Sequence, residues 1–328
     1  MAFDLVKFNA QVYTAMTETV DQQLEAFNAA SNNALMLAPS NANMGDFALE
    51  ASFKLISGLV RRRDVNNGTD PVTPTRLQQL KAASVKVAAG TPPITFEPAQ
   101  YRWILDSPER AAVVIAEQLA AAMLQDQLNT AVRGLVAALS GNADVVSDIT
   151  ASTVKTPTIA TLTAAASKFG DRVSSLAAWI VHSKTMNDIW QDALKNGQNL
   201  FRFGDVAVME DQFGRRFIMS DIPALMVPAT TGETPTPAAY YALGLVPQAA
   251  LVEPNNDFDA TMVDATGHQN IQRTYQAEWS YNLGLLGYTW DMASGGSSPT
   301  DAALGTSANW KKVATSNKDT AGVLLKSE

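Results

Sequence analysis

SPERAAVVIAEQLAAAMLQDQLNTAVRGLVAALSGN, residues 107–142, is the stretch on which the reading of this fold turns. Ser107 is a favourable N-cap, Pro108 fits the first helical turn, and Glu109 suits the positive end of the helix dipole. Ile115, Leu119 and Met123 recur on one side, and Leu124, Leu128, Val132, Leu135 and Leu139 continue along an adjoining stripe. Ser140-Gly141-Asn142 closes the run, with Gly141 expected as a left-handed cap. The spacing therefore predicts one helix over Pro108–Ser140, roughly 50 Å long. Ordinary domains seldom hold a helix of that length, so it is expected to act as a spine. Its many alanines let a sheet approach closely. Glu117, Gln118, Gln125, Asp126, Gln127 and Arg133 interrupt it, which excludes a membrane span.

Upstream, Phe8, Val12, Met16, Val20, Leu24 and Phe27 lie at helical spacing and predict an amphipathic N-terminal helix reaching about Asn33. It is expected to dock either on its own domain or on a neighbouring subunit. Leu35–Asn43 reads as an irregular connector broken by Pro39, Ser40 and Asn41. From Ala51 the texture is strand-like and continues through Leu59–Val65. Asn66-Asn67-Gly68-Thr69-Asp70-Pro71 then turns the chain, and a second strand returns through Ala82–Ala89. This predicts a long hairpin with a polar tip. Isolated hairpins are marginal in water, so it must rest on something else, which includes another copy of the chain. Ile94–Ile104 reads as a further strand.

Downstream, residues 143–253 alternate helix and strand as one α/β unit does. Thr158–Phe169 and Ser183–Lys195 are predicted helices; Ala178–Val181, Val206–Met209, Arg216–Met219 and Tyr240–Leu245 are predicted strands. From about Pro254 long strands return over Asn270–Tyr275 and Glu278–Tyr288, where Gly284 and Gly287 suggest bulges or close approach. Ser294–Pro299 reads as a flexible loop, and Asn309–Leu325 as a polar tail with an apolar end.

Hydrophobic residues make up 46% of the 328 and charged residues 17%, the balance of a globular chain with room for a sizeable core. Asp4 and Lys7 interrupt the first apolar stretch, so no signal-peptide core is read there. The absence of cysteine excludes disulfides, thiol catalysis and thiolate metal sites. A net charge of −8, with one basic run at Arg61-Arg62-Arg63, is the wrong sign for tight nucleic-acid binding.

The search for chemistry returns little. His182 follows an apolar strand and His268 lies in a loop-like stretch; neither has partners of a recognised catalytic or metal-binding type, and both read as structural. The phosphate-loop, dinucleotide and nucleophile-elbow motifs are all missing. Asp257, Asp259 and Asp264 begin like a calcium loop, but Thr261-Met262 stands where the glycine turn belongs and no glutamate closes it. A solvated acidic loop is the expected reading. Arg61, Arg62 and Arg63, with Asp64 as a partial offset, read as a solvated face or, beside the hairpin, as an intersubunit contact together with Arg76. No enzyme activity, cofactor or metal is expected.

Three segments carry a resemblance. Trp179-Ile180-Val181-His182-Ser183-Lys184-Thr185-Met186-Asn187-Asp188, Gly287-Tyr288-Thr289-Trp290-Asp291, and Ser298–Leu304 with Asn309-Trp310 and Lys318–Val323 resemble a large group of HK97-like major capsid proteins of tailed bacteriophages. The order of elements is similar along nearly the whole chain. The resemblance implies an α+β HK97-like fold: an N-terminal arm (1–45), an E-loop hairpin (46–93), a P-domain with the spine (94–142), an A-domain (143–253), and returning P-domain strands with a C-terminal tail (254–328). The A-domain of such proteins gathers around the axes of hexamers and pentamers. The implied role is a self-assembling subunit of an icosahedral head that encloses double-stranded DNA without sequence-specific binding, in a virion assembled in the host cytoplasm. Implied partners are copies of itself, a portal, a cement protein and a separate scaffolding protein, since only about forty-five residues precede the hairpin. The Lys–Asn isopeptide bond of some members does not carry over, because its lysine, asparagine and acid have no secure counterparts. An encapsulin-like nanocompartment shell is the alternative within the fold. A hydrolase centred on residues 143–253 is the alternative outside it.

Overall fold

The computed structural model describes residues 11–12, 14–15, 28, 31–37, 45–53, 79–97, 108–195, 202–203, 209–210, 214–230, 236–267 and 269–328. In chain order the first half contains β1 (Leu35–Leu37), β2 (Phe47–Phe53), β3 (Gln79–Gly90), β4 (Ile94–Phe96), α1 (Pro108–Ser140), β5 (Val146–Asp148), α2 (Ile159–Ala166), β6 (Ala178–Val181) and α3 (Ser183–Lys195). The second half contains β7 (Arg202–Phe203), β8 (Met209–Glu210), β9 (Arg216–Met219), β10 (Met226–Val227), β11 (Ala239–Leu245), β12 (Ala250–Pro254), β13 (Asp259–Ala265) and β14 (Gln272–Leu285). After these come β15 (Tyr288–Trp290), α4 (Met292–Gly295), α5 (Asp301–Leu304), β16 (Trp310–Lys312) and β17 (Gly322–Ser327). The class is α+β.

The spine has the bounds its periodicity predicts, and its two halves differ. Ala116, Leu119, Ala120, Met123 and Gln127 are buried along one stripe, while Glu117, Gln118, Ala121, Ala122 and Gln125 face out. From Ala131 to Leu139 the burial runs almost all the way round. That end is wedged between two sheets, and small residues make the fit: a Cβ on Gly134 would meet Leu283, Trp310 and Leu285 at 3.3–3.5 Å. The expected left-handed cap is not formed, because Gly141 keeps an ordinary negative φ. The helix instead ends in bonds from Gly141 N to Ala137 O (3.2 Å) and Asn142 N to Leu139 O (3.0 Å), which satisfy two of the last four carbonyls without the reversal.

The first sheet runs β1-β12-β14-β3-β2, with β13 and β4 also paired to β14. Its centre is β14, one fourteen-residue strand where the sequence suggests two pieces. The predicted hairpin begins at Phe47, four residues earlier than the texture suggests, and β2 pairs antiparallel with β3 from Phe47↔Val85 to Phe53↔Gln79. Because β14 leaves β3 at Val85↔Leu283, the outer part of β3 keeps β2 as its ladder partner but loses β14. The two strands therefore leave the sheet as a ribbon, steadied by Ala83 N donating to Thr289 Oγ1 at 2.8 Å. Leu35–Leu37 is a strand parallel to β12 and not a connector; at its end the Asn28 side chain donates to Leu37 O and accepts from Leu37 N. Val12 of the predicted N-terminal helix is buried in the same core. Of the strand predicted over Ile94–Ile104, Ile94–Phe96 is formed; 98–104 lie outside the described residues, as do 54–78 and 204–208.

The predicted acidic loop is corrected: Asp259–Ala265 is β13, antiparallel to β14. Period-two alternation buries Met262 between solvent-facing Thr261 and Val263, so it is a half-buried strand; Asp259 shares the wet face, and Asp264 lies on the same side as Met262. Asp264 pairs with Arg273 Nε at 2.8 Å, whereas Asp257 accepts from Ser280 N at 2.8 Å and lies 3.5 Å from Lys86. The three acids do not form a calcium loop.

The second sheet runs β5-β17-β11-β6-β9-β8-β7, with β10 on β11. The bounds of β6, α3 and β9 are those predicted. Thr158 caps α2 through a reciprocal box with Thr161, after which the chain tightens into short 3-10 turns within Ser167–Ser175, kinked at Gly170 (φ +59°). The unexpected member is β17. The end of the predicted tail runs between β5 and β11, with Val323, Leu324 and Leu325 fully buried. At Gly322 a Cβ would collide with the carbonyl of Gly244, so the two backbones require a residue without a side chain there.

Candidate functional site: the joint between the sheets

The three segments singled out in the sequence gather at two places. The first is the buried end of α1. Tyr288–Trp290 and Trp310–Lys312 pair as a separate two-stranded ribbon whose tryptophans meet edge to face at 4.9 Å between ring centroids. Each indole N–H has a carbonyl partner at 3.0 Å: Gly296 O for Trp290 and Leu304 O for Trp310. Asp291 caps α4, accepting from Ala293 N at 3.2 Å and Ser294 Oγ at 2.7 Å, with Lys311 Nζ at 2.6 Å. Thr300 caps α5, whose Asp301 pairs with Arg133 of the spine. The Asp301–Arg133 pair ties α5 to the spine.

From this ribbon the chain passes to the second sheet through a polar hinge. Asn142, just past the spine, donates to Asn317 Oδ1 at 3.2 Å, and Asn317 donates to Asp144 Oδ2 at 3.0 Å. Lys318 pairs with Asp171, and Arg172 with Asp319. Gly287 sits at φ +78°, where a Cβ would meet Asp319 O at 2.7 Å and Thr320 Cα at 2.9 Å. Close approach at Gly287, anticipated from the sequence, is thus real.

The Lys311 ammonium, with Ser294 and the Ala293 amide, pulls the Asp291 carboxyl down from the ordinary 3.8 to about 2. A lowered folded-state value means that the carboxylate stabilises the fold above the ordinary range. That contribution is lost as pH falls from 3.8 towards 2. Acid unfolding followed by circular dichroism should show this directly: Asp291→Asn should be less stable than the parent at neutral pH, with the difference shrinking through that window. A difference that stays constant to pH 2 would rule out the linkage.

The second gathering point is His182. The ring nitrogen Nδ1 accepts from Lys184 N at 3.1 Å, and Asp221 Oδ1 accepts from Ser183 N at 3.1 Å, so both side chains cap the first turn of α3. Ser183, first through its hydroxyl, holds the Asp221 carboxyl below the usual range. Lys184 bonds Asp188 at 2.8 Å and lies 4.9 Å over the Tyr240 ring. Ser183, His182 and Asp221 are the residue types of a hydrolytic triad, but their geometry is not. Ser183 Oγ is 3.5 Å from Nδ1, the nitrogen already engaged by a backbone N–H, and His182 Nε2 is 3.6 Å from Asp221, beyond a hydrogen bond. The arrangement caps a helix.

Arg61, Arg62, Arg63, Arg76 and His268 lie outside the described residues. Among the described residues no group of three His, Cys, Asp or Glu could hold a metal ion, and no helix is long and apolar enough to cross a membrane.

Solved structures share this fold at very low sequence identity. The capsid asymmetric unit of cyanophage Pam1 is similar over 90% of this chain and 88% of its own, at a TM-score of 0.52 and 10% identity. The capsid of Ralstonia phage GP4 is similar over 90% and 87%, at 0.51 and 9% identity. That of Helicobacter pylori bacteriophage KHP30 is similar over 91% and 89%, at 0.50 and 10% identity. No curated protein matches the sequence. The family model described as major capsid protein 13-like, Gp13-like, does match, and it spans residues 4–324. The chain belongs to that family of major capsid proteins, which points to a structural role.

Proposed function

We propose that this chain assembles as hexamers and pentamers into the icosahedral head of a tailed phage and encloses its double-stranded DNA. The observation that carries the reading is the β2–β3 ribbon. Outward of Val85 its two strands are paired in ladder only to each other, and residues 54–78 join them. A monomer gains little from such an extension; a shell subunit can lay it on a neighbour. In HK97-like terms the arm is 1–45, the E-loop 46–93, and the P-domain 94–142 with 254–328. The A-domain is 143–253, completed by β17. The acidic net charge of −8 suits a wall that must confine DNA without binding it tightly. A scaffolding protein, a portal and a cement protein are the proposed partners, assembly is proposed to take place in the host cytoplasm, and catalysis forms no part of the role. Sedimentation of the chain expressed with its scaffolding protein should give fast particles. A product that stays monomeric under every assembly condition would contradict the reading.

Arg61, Arg62, Arg63 and Arg76 are proposed intersubunit residues on that hairpin. Strand alternation would send Arg61 and Arg63 to one face and Arg62 to the other. Guanidinium groups bind carboxylates in bidentate fashion, and a second acidic subunit offers carboxylates in excess. Each exposed pair contributes about 0.2–1 kcal/mol, but repetition over a shell multiplies it. Replacing Arg61 and Arg63 by Glu should leave the circular dichroism spectrum unchanged and reduce shell yield more than Arg62→Glu does. Equal yields at low salt would reduce the arginines to a solvated face.

A further inference from the structure

The residue before a helix usually supplies an oxygen that does not titrate near neutrality, from Ser, Thr, Asp or Asn. At α3 an imidazole does so instead. His182 O accepts the first helical bond, from Met186 N at 3.0 Å, and its Nδ1 accepts from Lys184 N at 3.1 Å, so the residue meets both conditions of an N-cap. A backbone amide can only donate. The nitrogen facing it therefore carries no proton, and the neutral ring holds its one proton on Nε2. Nε2 is 3.6 Å from Asp221 Oδ1, a separation that an uncharged N–H does not bridge.

Protonation reverses both halves of this arrangement. A proton on Nδ1 removes the acceptor and sets one N–H against another, at the end of α3 where the helix dipole is positive. Ser183 Oγ, 3.5 Å from Nδ1, stands at the limit of a hydrogen bond and takes the new proton poorly. The imidazolium becomes instead a partner for Asp221. Ser183 already holds that carboxyl below the usual range, so it is charged throughout the interval in which histidines titrate. Asp221 is itself the second cap, accepting from Ser183 N at 3.1 Å, and its recruitment by the ring weakens that bond as well.

The other charged groups around the ring are engaged with one another. On α3, Lys184 Nζ bonds Asp188 Oδ2 at 2.8 Å and the carbonyl of Glu328, just past β17, at 2.6 Å. The Glu328 carboxylate holds Lys155 at 2.9 Å. From β11 the Tyr240 ring lies 5.1 Å from the imidazole and 4.9 Å from the Lys184 ammonium.

We infer that His182 is a pH-sensitive cap: neutral, it closes the first turn of α3; protonated, it leaves Lys184 N for Asp221 and the turn opens. Met186 and Ile189 keep the rest of the helix in the core, so the change is local. It reaches the joint between the sheets nevertheless. Asp221 adjoins Ile222, which is buried, and the turn Pro223–Leu225 that follows packs on the spine. The switch belongs to the folded subunit and holds whether or not shells form.

Hydrogen exchange of the full-length chain, read by mass spectrometry on peptides covering Ser183–Lys195, tests this. The parent, His182→Asn and His182→Ala are compared at about pH 8 and again at about pH 5, the limits between which imidazole changes charge. Comparison at one pH cancels the intrinsic pH dependence of exchange. Asparagine caps at both values and alanine at neither. The parent should match the asparagine variant at the higher pH and the alanine variant at the lower. There its first turn should exchange about fivefold faster than that of the asparagine variant, the ratio that loss of an ordinary cap gives. Should asparagine impair folding, His182→Ser supplies the same kind of non-titrating oxygen. A parent that tracks the asparagine variant at both values, or the alanine variant at both, would overturn the inference.

Discussion

A chain ending at Ala321 should fail to fold its second sheet and accumulate as insoluble protein. The deleted residues include β17, which lies between β5 and β11 and pairs with β11 from Gly322↔Leu245 to Ser327↔Tyr240. Val323, Leu324 and Leu325 are buried on both faces of the sheet. Full burial of such side chains stabilises by about 1.5–3 kcal/mol each. Their loss, before any ladder bond is counted, is comparable to the net stability of a whole domain, about 5–15 kcal/mol. β5 would also lose its partner strand, and the carbonyls of β11 would face an empty slot. Solubility after lysis and far-ultraviolet circular dichroism of any soluble fraction measure the effect. A truncated chain as soluble and as folded as the parent would mean that β17 is an accessory strand.

Trp310→Ala should cost about 3–5 kcal/mol, the range for emptying a buried large aromatic site. Trp310 is 4% exposed, packs edge to face on Trp290, and lies against Gly134 of the spine. Its indole N–H also satisfies the Leu304 carbonyl, which the alanine would leave bare. Trp310→Phe keeps a ring but not the donor and should cost less. Urea denaturation of the two variants beside the parent gives the comparison. The ordering Ala worse than Phe worse than parent is the expected one; equal midpoints for alanine and tryptophan would show that the clamp on the spine does not depend on this ring.

The parts of the fold legible in the sequence are those whose local signals agree with their tertiary setting. The spine carries an unbroken apolar stripe bounded by Pro108 and Ser140; Ala178–Val181 is a short apolar run set before a helix with clear periodicity; Arg216–Met219 follows a turn at Gly214. Readings fail where context decides. Gly322–Ser327 is too short and too uniformly apolar to show any period, so nothing local distinguishes an inner strand from the end of a tail. Asp259–Ala265 hides a strand because Asp264 falls on the same side as the buried Met262, so the charge blurs the alternation. Gly141 permits a left-handed cap, but the bonds to Ala137 and Leu139 already serve the helix end. At the candidate site, the segments around Trp179, Trp290 and Trp310 were recognisable as blocks. The packing of the Trp290 and Trp310 blocks on the spine is not legible there, since it depends on contacts between residues far apart in the chain, such as Gly134 with Trp310.

Electron cryomicroscopy of particles from the chain expressed with its scaffolding protein tests the central claim most directly. Closed icosahedral shells of hexamers and pentamers are expected, each subunit placing its second sheet towards the capsomer axis and its 46–93 hairpin on a neighbour. Monomers, or assemblies in which that hairpin folds back on its own subunit and touches no other copy, would contradict the claim.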